Sequence, residues 1–238
     1  MLTLFFFLAV VLIDGRSLVD SQCEPSTQLV RRPFTHLVLM SAAEPFHPRV
    51  TIPADLMPTS LQVMKFCNHY LIIDPKTKSF DWKNFWSRIV QYKPQDKIYM
   101  QTHWKEVIPR SDASVSAMVD AIVGYLYRAY SVYLDVKEVT ATVLATFTHL
   151  KTASSSGWAD FSKSIHETNS SYEYRVLFDV RSNFPDTFWS IVTTIKLTAD
   201  IETESAWWGL ESSSTQKFSA EIETAQLFIR KGFKDPGL

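Results

Sequence analysis

Between Phe188 and Glu202 the chain alternates. Trp189, Ile191, Thr193, Ile195, Leu197, Ala199 and Ile201 share one parity; Phe188, Ser190, Val192, Thr194, Lys196, Thr198, Asp200 and Glu202 share the other. Successive side chains of a strand point to opposite faces, so the stretch predicts a half-buried strand, apolar on one face and polar on the other beyond Val192. At about 3.3 Å per residue it reaches about 40 Å, where an ordinary strand holds about 5–6 residues. A lipid hydrocarbon core is about 30 Å thick, and a tilted strand of about 9–11 residues crosses it. A long central strand of an ordinary sheet is the commoner meaning of such a pattern. Upstream, Tyr172, Tyr174, Val176, Phe178 and Val180 alternate with Glu173, Arg175, Leu177, Asp179 and Arg181, and the Asn183–Asp186 turn joins the two stretches into a hairpin. Phe218–Ile229 predicts a last strand. Val139, Ala141, Val143, Ala145 and Phe147, alternating with Thr140, Thr142, Leu144, Thr146 and Thr148, predict an earlier one. Phe34–Met40 and Ala206–Leu210 read as short strands and Lys97–Ile108 as an extended stretch.

Elsewhere the period is helical. Leu61, Met64, Cys67 or Asn68, and Leu71 recur at helix spacing from about Thr59. Ser79 or Asp81 caps a second helix whose stripe is Trp82, Phe85, Trp86, Ile89 and Val90. Ser111 or Asp112 caps a third, with Val115, Met118, Val119, Ile122, Leu126, Ala129, Tyr130 and Tyr133 on its buried side. That third helix carries Asp120 and Arg128 as its only formal charges, so it lies deep or covers something it can later leave. Trp158–Ile165 reads as a short helix. Helices grouped ahead of a run of strands, with no linker between, predict one α+β domain in which helices cover a largely antiparallel sheet.

The N-terminal run Leu2–Ile13, followed by Asp14-Gly15-Arg16-Ser17, has the layout of an export signal. The expected boundaries are a signal at 1–17, with cleavage as late as residue 21, a polar arm at 18–30 and a folded domain at 31–233. No later run has the length of a transmembrane helix, so the expected product is secreted and extracellular. A formal charge of −1 gives no electrostatic case for nucleic acid. Cys23 and Cys67 allow one disulfide in an exported chain, and Asn169-Ser170-Ser171 is a glycosylation sequon in a polar loop. The candidate chemistry is otherwise thin. There is no HExxH, CxxC, glycine-rich phosphate loop or GxSxG, so neither catalytic residues nor a metal or cofactor is expected. Cys67 and His69 are two apart and point away from each other on a helix.

Several stretches together resemble a known family. LVRRPFTHLVLM (29–40), ATFTHL (145–150), the Trp158 segment, NSSYEYRVLFDV (169–180) and ETAQLFI (223–229) follow the order and spacing of the Cyt-type cytolytic δ-endotoxins and volvatoxin-like cytolysins, from about residue 29 to 231. The resemblance implies a single domain with a mostly antiparallel sheet wrapped by two helical layers. It also implies direct binding of membrane phospholipid, lysis without enzymatic activity, self-association on membranes and a homodimer in solution. The long strands then insert while the helices peel away, either as an oligomeric pore or as detergent-like disruption of the bilayer. On this chain the inserting residues are then Tyr172, Tyr174, Val176, Phe178, Val180, Trp189, Ile191, Ile195, Leu197, Ile201, Phe218, Ile222 and Phe228, with Lys196, Thr198 and Asp200 lining a pore. The rival readings are a secreted recognition module presenting Trp207-Trp208, and a hydrolase for which no residue constellation speaks.

Overall fold

The computed structural model describes residues 52–237 apart from 75, 78, 131–133, 149, 151–158 and 164–167, and the backbone alone of 159–163. The export segment, the arm, the Phe34–Met40 strand and Cys23 lie outside the described residues, as does Tyr133. The described residues belong to one unit, Pro45–Leu238.

Helix α1 (Met57–Tyr70) leads through a two-stranded hairpin, β1 (Ile73–Asp74) and β2 (Ser79–Phe80), into α2 (Trp82–Gln91). Strand β3 (Ile98–Ser114) runs directly into α3 (Val115–Tyr130), which is followed by α4 (Val136–Thr148). The chain closes with β4 (Ala159–Lys163), β5 (Ser170–Arg181), β6 (Thr187–Ala199), α5 (Glu204–Trp208) and β7 (Thr215–Arg230). The main sheet has the order β3-β7-β6-β5-β4 and every neighbouring pair is antiparallel.

The predicted β5–β6 hairpin is present. In its turn Asp186 takes a left-handed backbone (φ 56°), which Asp tolerates better than bulkier residues. Pairing places Ile195 opposite Tyr174 on one side and Ile222 on the other, and Trp189 opposite Val180 and Phe228. That register gathers the odd positions of β6 with the even positions of β5 and β7 on a single face, where they share one core with α3 and α4.

The other face is also covered. Leu177, Phe188, Val192, Ala225, Leu227 and Ile229 pack with Val63, Phe66 and Cys67 of α1 and Phe85 and Ile89 of α2. Strand β6 is therefore buried on both faces as far as Ile195, not half-buried along its length. A second helical layer hides side chains that alternation alone assigns to water.

Five other expectations change. Val136–Thr148 is helical, not extended. Val139, Val143 and Phe147 are also spaced by four and face the core, while Thr140 and Thr142 satisfy their hydroxyls on the carbonyls of Val136 and Glu138, each at 2.8 Å. Glu204–Trp208 is a short helix capped by Thr203, where a strand was expected, and Ala159–Lys163 is a strand in place of the short helix. Strand β3 runs six residues past Ile108, so Ser114, not Ser111 or Asp112, caps α3 by accepting from Ala117 N–H. Leu61, Trp86 and Val90 are exposed, while Val63, Phe66 and Tyr70 carry the buried side of α1.

Candidate functional site

The residues singled out as inserting come together. All of them, from Tyr172 to Phe228, belong to the one core cluster beneath α3 and α4. Their contacts are largely ring and aliphatic: Phe147 meets Phe218 edge-on at 6.2 Å, and Tyr172 meets Trp207 at 5.2 Å. The cover itself is Val115, Met118, Val119, Ile122 and Leu126 of α3 with Val139, Val143 and Phe147 of α4. In the middle of this face a Thr193–Thr224 hydroxyl pair at 2.9 Å satisfies itself within the sheet, and Thr224 also donates to the Val192 carbonyl at 3.0 Å. Burial pushes the phenols of Tyr125, Tyr130 and Tyr174 upward, so they stay neutral.

The opposite face is held differently. Ser60 of α1 and Ser190 of β6 both donate to the fully buried carboxylate of Asp179. Burial raises that acid to about 6, against the pull of the two hydroxyls. Arg175 donates to the Leu71 carbonyl at 3.1 Å and to Asn68 Oδ1 at 3.3 Å, with its guanidinium 5.7 Å from the Phe80 ring centre. Trp82 Nε1 donates to Thr194 Oγ1 at 2.9 Å, and Asp81 caps α2 by accepting from Asn84 N–H. Three polar links thus tie α1, α2 and the turn between them to the sheet.

Toward the Ser170 end, the same face becomes a charged ladder. Glu173 stands opposite Lys196, which stands opposite Glu221, and Lys196 Nζ is 3.4 Å from Glu173. Lys105 lies 3.9 Å from Glu221 and 3.8 Å from Glu223, and His103 Nε2 lies 2.9 Å from Glu223. Ser79, Phe80, Lys105, Glu173, Lys196, Glu221 and Glu223 line a cleft. Of the residues assigned to a pore lining, Lys196 and Thr198 share this face, whereas Asp200 lies past the end of β6 and pairs with Arg110. Sequence reasoning missed Glu173, Arg175 and Asp179 as buried charges. Their signal was three ionisable residues on one parity of a strand otherwise built for burial.

The remaining candidates resolve simply. Cys67 is a buried free thiol whose ionisation burial opposes, and His69 Nδ1 lies 2.6 Å from Asp235. Asn169 is buried at the start of β5, so the folded chain does not present the sequon in an open loop. Trp207 is buried and donates to Ser170 Oγ at 2.8 Å, which leaves Trp208 alone as the exposed member of that pair. No helix among the described residues is long and apolar enough to cross a membrane, a statement that does not extend to strands.

Comparison with known proteins gives concordant matches. The family model for Bacillus thuringiensis toxin matches residues 61–227. Among solved structures, a delta-endotoxin superposes with a TM-score of 0.64 at 18% identity, over 87% of this chain and 92% of that one. The activated Cyt2Ba monomer from Bacillus thuringiensis subsp. israelensis gives 0.63 at 13% identity, over 80% of this chain and 100% of that one. At these identities the likeness is one of fold. No curated protein matches the sequence.

Proposed function

The chain belongs to the Bacillus thuringiensis toxin family, the Cyt-type cytolytic toxins, and from that premise we propose that it is a secreted toxin that permeabilises membranes by exchanging its α3–α4 layer for lipid. The observation that carries this reading is the single apolar face of β5, β6 and β7, long enough to cross a hydrocarbon core and covered in water by two largely apolar helices. Fully burying a large apolar side chain contributes about 1.5–3 kcal/mol, so Trp189, Ile191, Ile195, Leu197 and Ile201 together represent on the order of 10 kcal/mol. Helices supply that cover in solution and lipid supplies it in a bilayer. The exchange therefore leaves most of the apolar term intact.

Inserted strands must also satisfy their backbone edges, which favours closure of several chains into a ring. On this reading the polar face, with Lys196 and Thr198, turns to water, the partner is membrane phospholipid, and no catalytic residue is needed. Residues 1–17 serve as the export signal and 18–30 as an arm ahead of the toxin domain. Leakage of dye from protein-free phosphatidylcholine vesicles tests the reading. Release is expected. Intact vesicles would instead favour a secreted recognition module.

A further inference from the structure

Among the described residues, α3 ends before the hairpin end of the sheet. Helix α3 starts where Val115 N–H donates to the Ser214 carbonyl, and its last residue, Tyr130, brings its hydroxyl beside Thr102 and Thr224. From Thr224 the strand continues four residues to Phe228, about 13 Å at the rise of a strand. Tyr172 and Leu197 at the far end and Trp189 and Phe228 at the hairpin end are all buried, the last two at 8% and 7% exposure.

At that end the aromatics continue outward. Phe228 stacks on Tyr99 at 4.9 Å and meets Trp189 edge-on at 5.0 Å and Phe184 at 6.2 Å. Phe184, in the β5–β6 turn, is 62% exposed, the highest value among the large exposed hydrophobic side chains described. The same end of the sheet also carries cations: Arg181 opposite Phe188 and Arg230 opposite Thr187 in the register, then Lys231 and Lys97. Arg230 pairs with Asp96, and Lys231 with Asp55 and Asp186, all at the surface. Exposed pairs of this kind are weak, so lipid phosphates can replace the carboxylates. Aromatic rings with a polar tip or a cationic neighbour settle at the headgroup level of a bilayer.

We propose that this aromatic tip, Phe184 with Tyr99, Trp189 and Phe228, is the surface by which the protein first docks on a phospholipid bilayer, before the α3–α4 layer lifts. The inference rests on the lytic reading above and adds which end of the molecule meets lipid. Docking there puts the hairpin turn, the leading point of two of the three long strands, into the interface through the exposed Phe184 ring.

The test is co-sedimentation of the full chain with phosphatidylcholine vesicles, alongside dye release. Phe184→Ser removes an exposed ring and leaves the core alone, so thermal unfolding is expected to match the parent. The bound fraction and the initial leakage rate are expected to fall by about tenfold. Phe184→Leu keeps an apolar side chain and is expected to retain most binding. Trp86→Ser, which removes a comparably exposed aromatic from α2, is expected to bind like the parent. Parent-like binding by Phe184→Ser, or equal losses from Phe184→Ser and Trp86→Ser, overturns the docking tip while leaving the lytic reading standing. A parent chain that neither binds nor leaks vesicles overturns both. Light scattering that shows Phe184→Ser converting a dimer to a monomer with unchanged lipid binding assigns the tip to a second copy of the chain, and also overturns the proposal.

Discussion

The two helical layers cover the same sheet by different physics. The α3–α4 layer presents a dense apolar surface to Tyr174, Ile195 and Ile222, with polar contacts to neutral hydroxyls where Tyr130 meets Thr102 and Thr224 and Thr146 meets Tyr174. The α1–α2 layer is tied down by aimed polar contacts, with Asp179 receiving Ser60, Thr194 receiving Trp82, and Leu71 receiving Arg175. An apolar cover is exchangeable, because lipid tails satisfy the same surface as well as a helix does. A polar tie is not. A buried donor or acceptor left without its partner costs about 1–3 kcal/mol, and more if charged. On the proposed lytic reading, this difference makes the α3–α4 layer the one that lifts and the α1–α2 layer the one that stays.

The largest effect is expected from a charge on the apolar face. Ile195 is fully buried beneath the α3–α4 layer, and on the proposed reading it meets lipid when the strands insert. A lysine at the bilayer midplane costs about 2–4 kcal/mol, so Ile195→Lys is expected to abolish vesicle leakage. Circular dichroism at low temperature separates that loss from unfolding, and a folded variant leaking at the parent rate contradicts the assignment of this face to lipid.

Loosening a tie on the other face probes the comparison from the opposite side. Ser60→Ala removes one donor from Asp179 and is expected to lower stability by about 1–3 kcal/mol in urea unfolding. The leakage rate per folded molecule is expected to hold. A several-fold acceleration would mean that α1 also has to leave.

Part of this contrast could be read in the chain and part could not. The β5–β6 hairpin was legible because alternation, length and an Asn183–Asp186 turn agreed. The apolar set that β5, β6 and β7 share on one face was legible for the same reason. Helix α4 was not. Its valines and threonines alternate and favour strands, and only the hydroxyl bonds back to the preceding turn and the four-residue spacing of Val139, Val143 and Phe147 reveal the helix. The second buried face was hidden because it mixes Leu177 and Val192 with Arg175, Asp179 and Ser190. A strand buried through paired polar groups looks half-exposed in sequence. The aromatic tip was invisible because Tyr99 and Phe184 lie far apart in the chain from Phe228 and meet it only through the sheet register.

A smaller effect is expected from pH. Folding raises Asp179 from its ordinary 3.8 to about 6, so the native state holds that proton more tightly than the unfolded chain. Its contribution to stability is present in full below about 3.8 and is lost as pH rises through about 6. The α1 tie is therefore steadier at about pH 5 than at about pH 7.5. Asp179→Asn is expected to flatten this part of the profile in urea midpoints measured across that range, and an unchanged slope counts against it.

The smallest effect is expected at the charged ladder. Reversing Lys196 sets a carboxylate against buried Glu173 and so confounds conduction with folding. Lys105 is a better probe, since it lies at the exposed rim near Glu221 and Glu223. Lys105→Glu is expected to fold and lyse normally while reversal potentials in planar bilayers shift toward cations, because charge lining a pore sets the favoured ion. An unshifted potential places the ladder outside the conducting path.

The central claim is that α3 and α4 must separate from the sheet and that α1 and α2 need not. Two engineered disulfides test it directly, one joining α3 to β7 and one joining α1 to β5, each assayed for dye release from phosphatidylcholine vesicles before and after reduction. The account predicts that the oxidised α3–β7 form folds but releases no dye until reduced, while the oxidised α1–β5 form leaks like the parent. Full leakage by the oxidised α3–β7 form would contradict it.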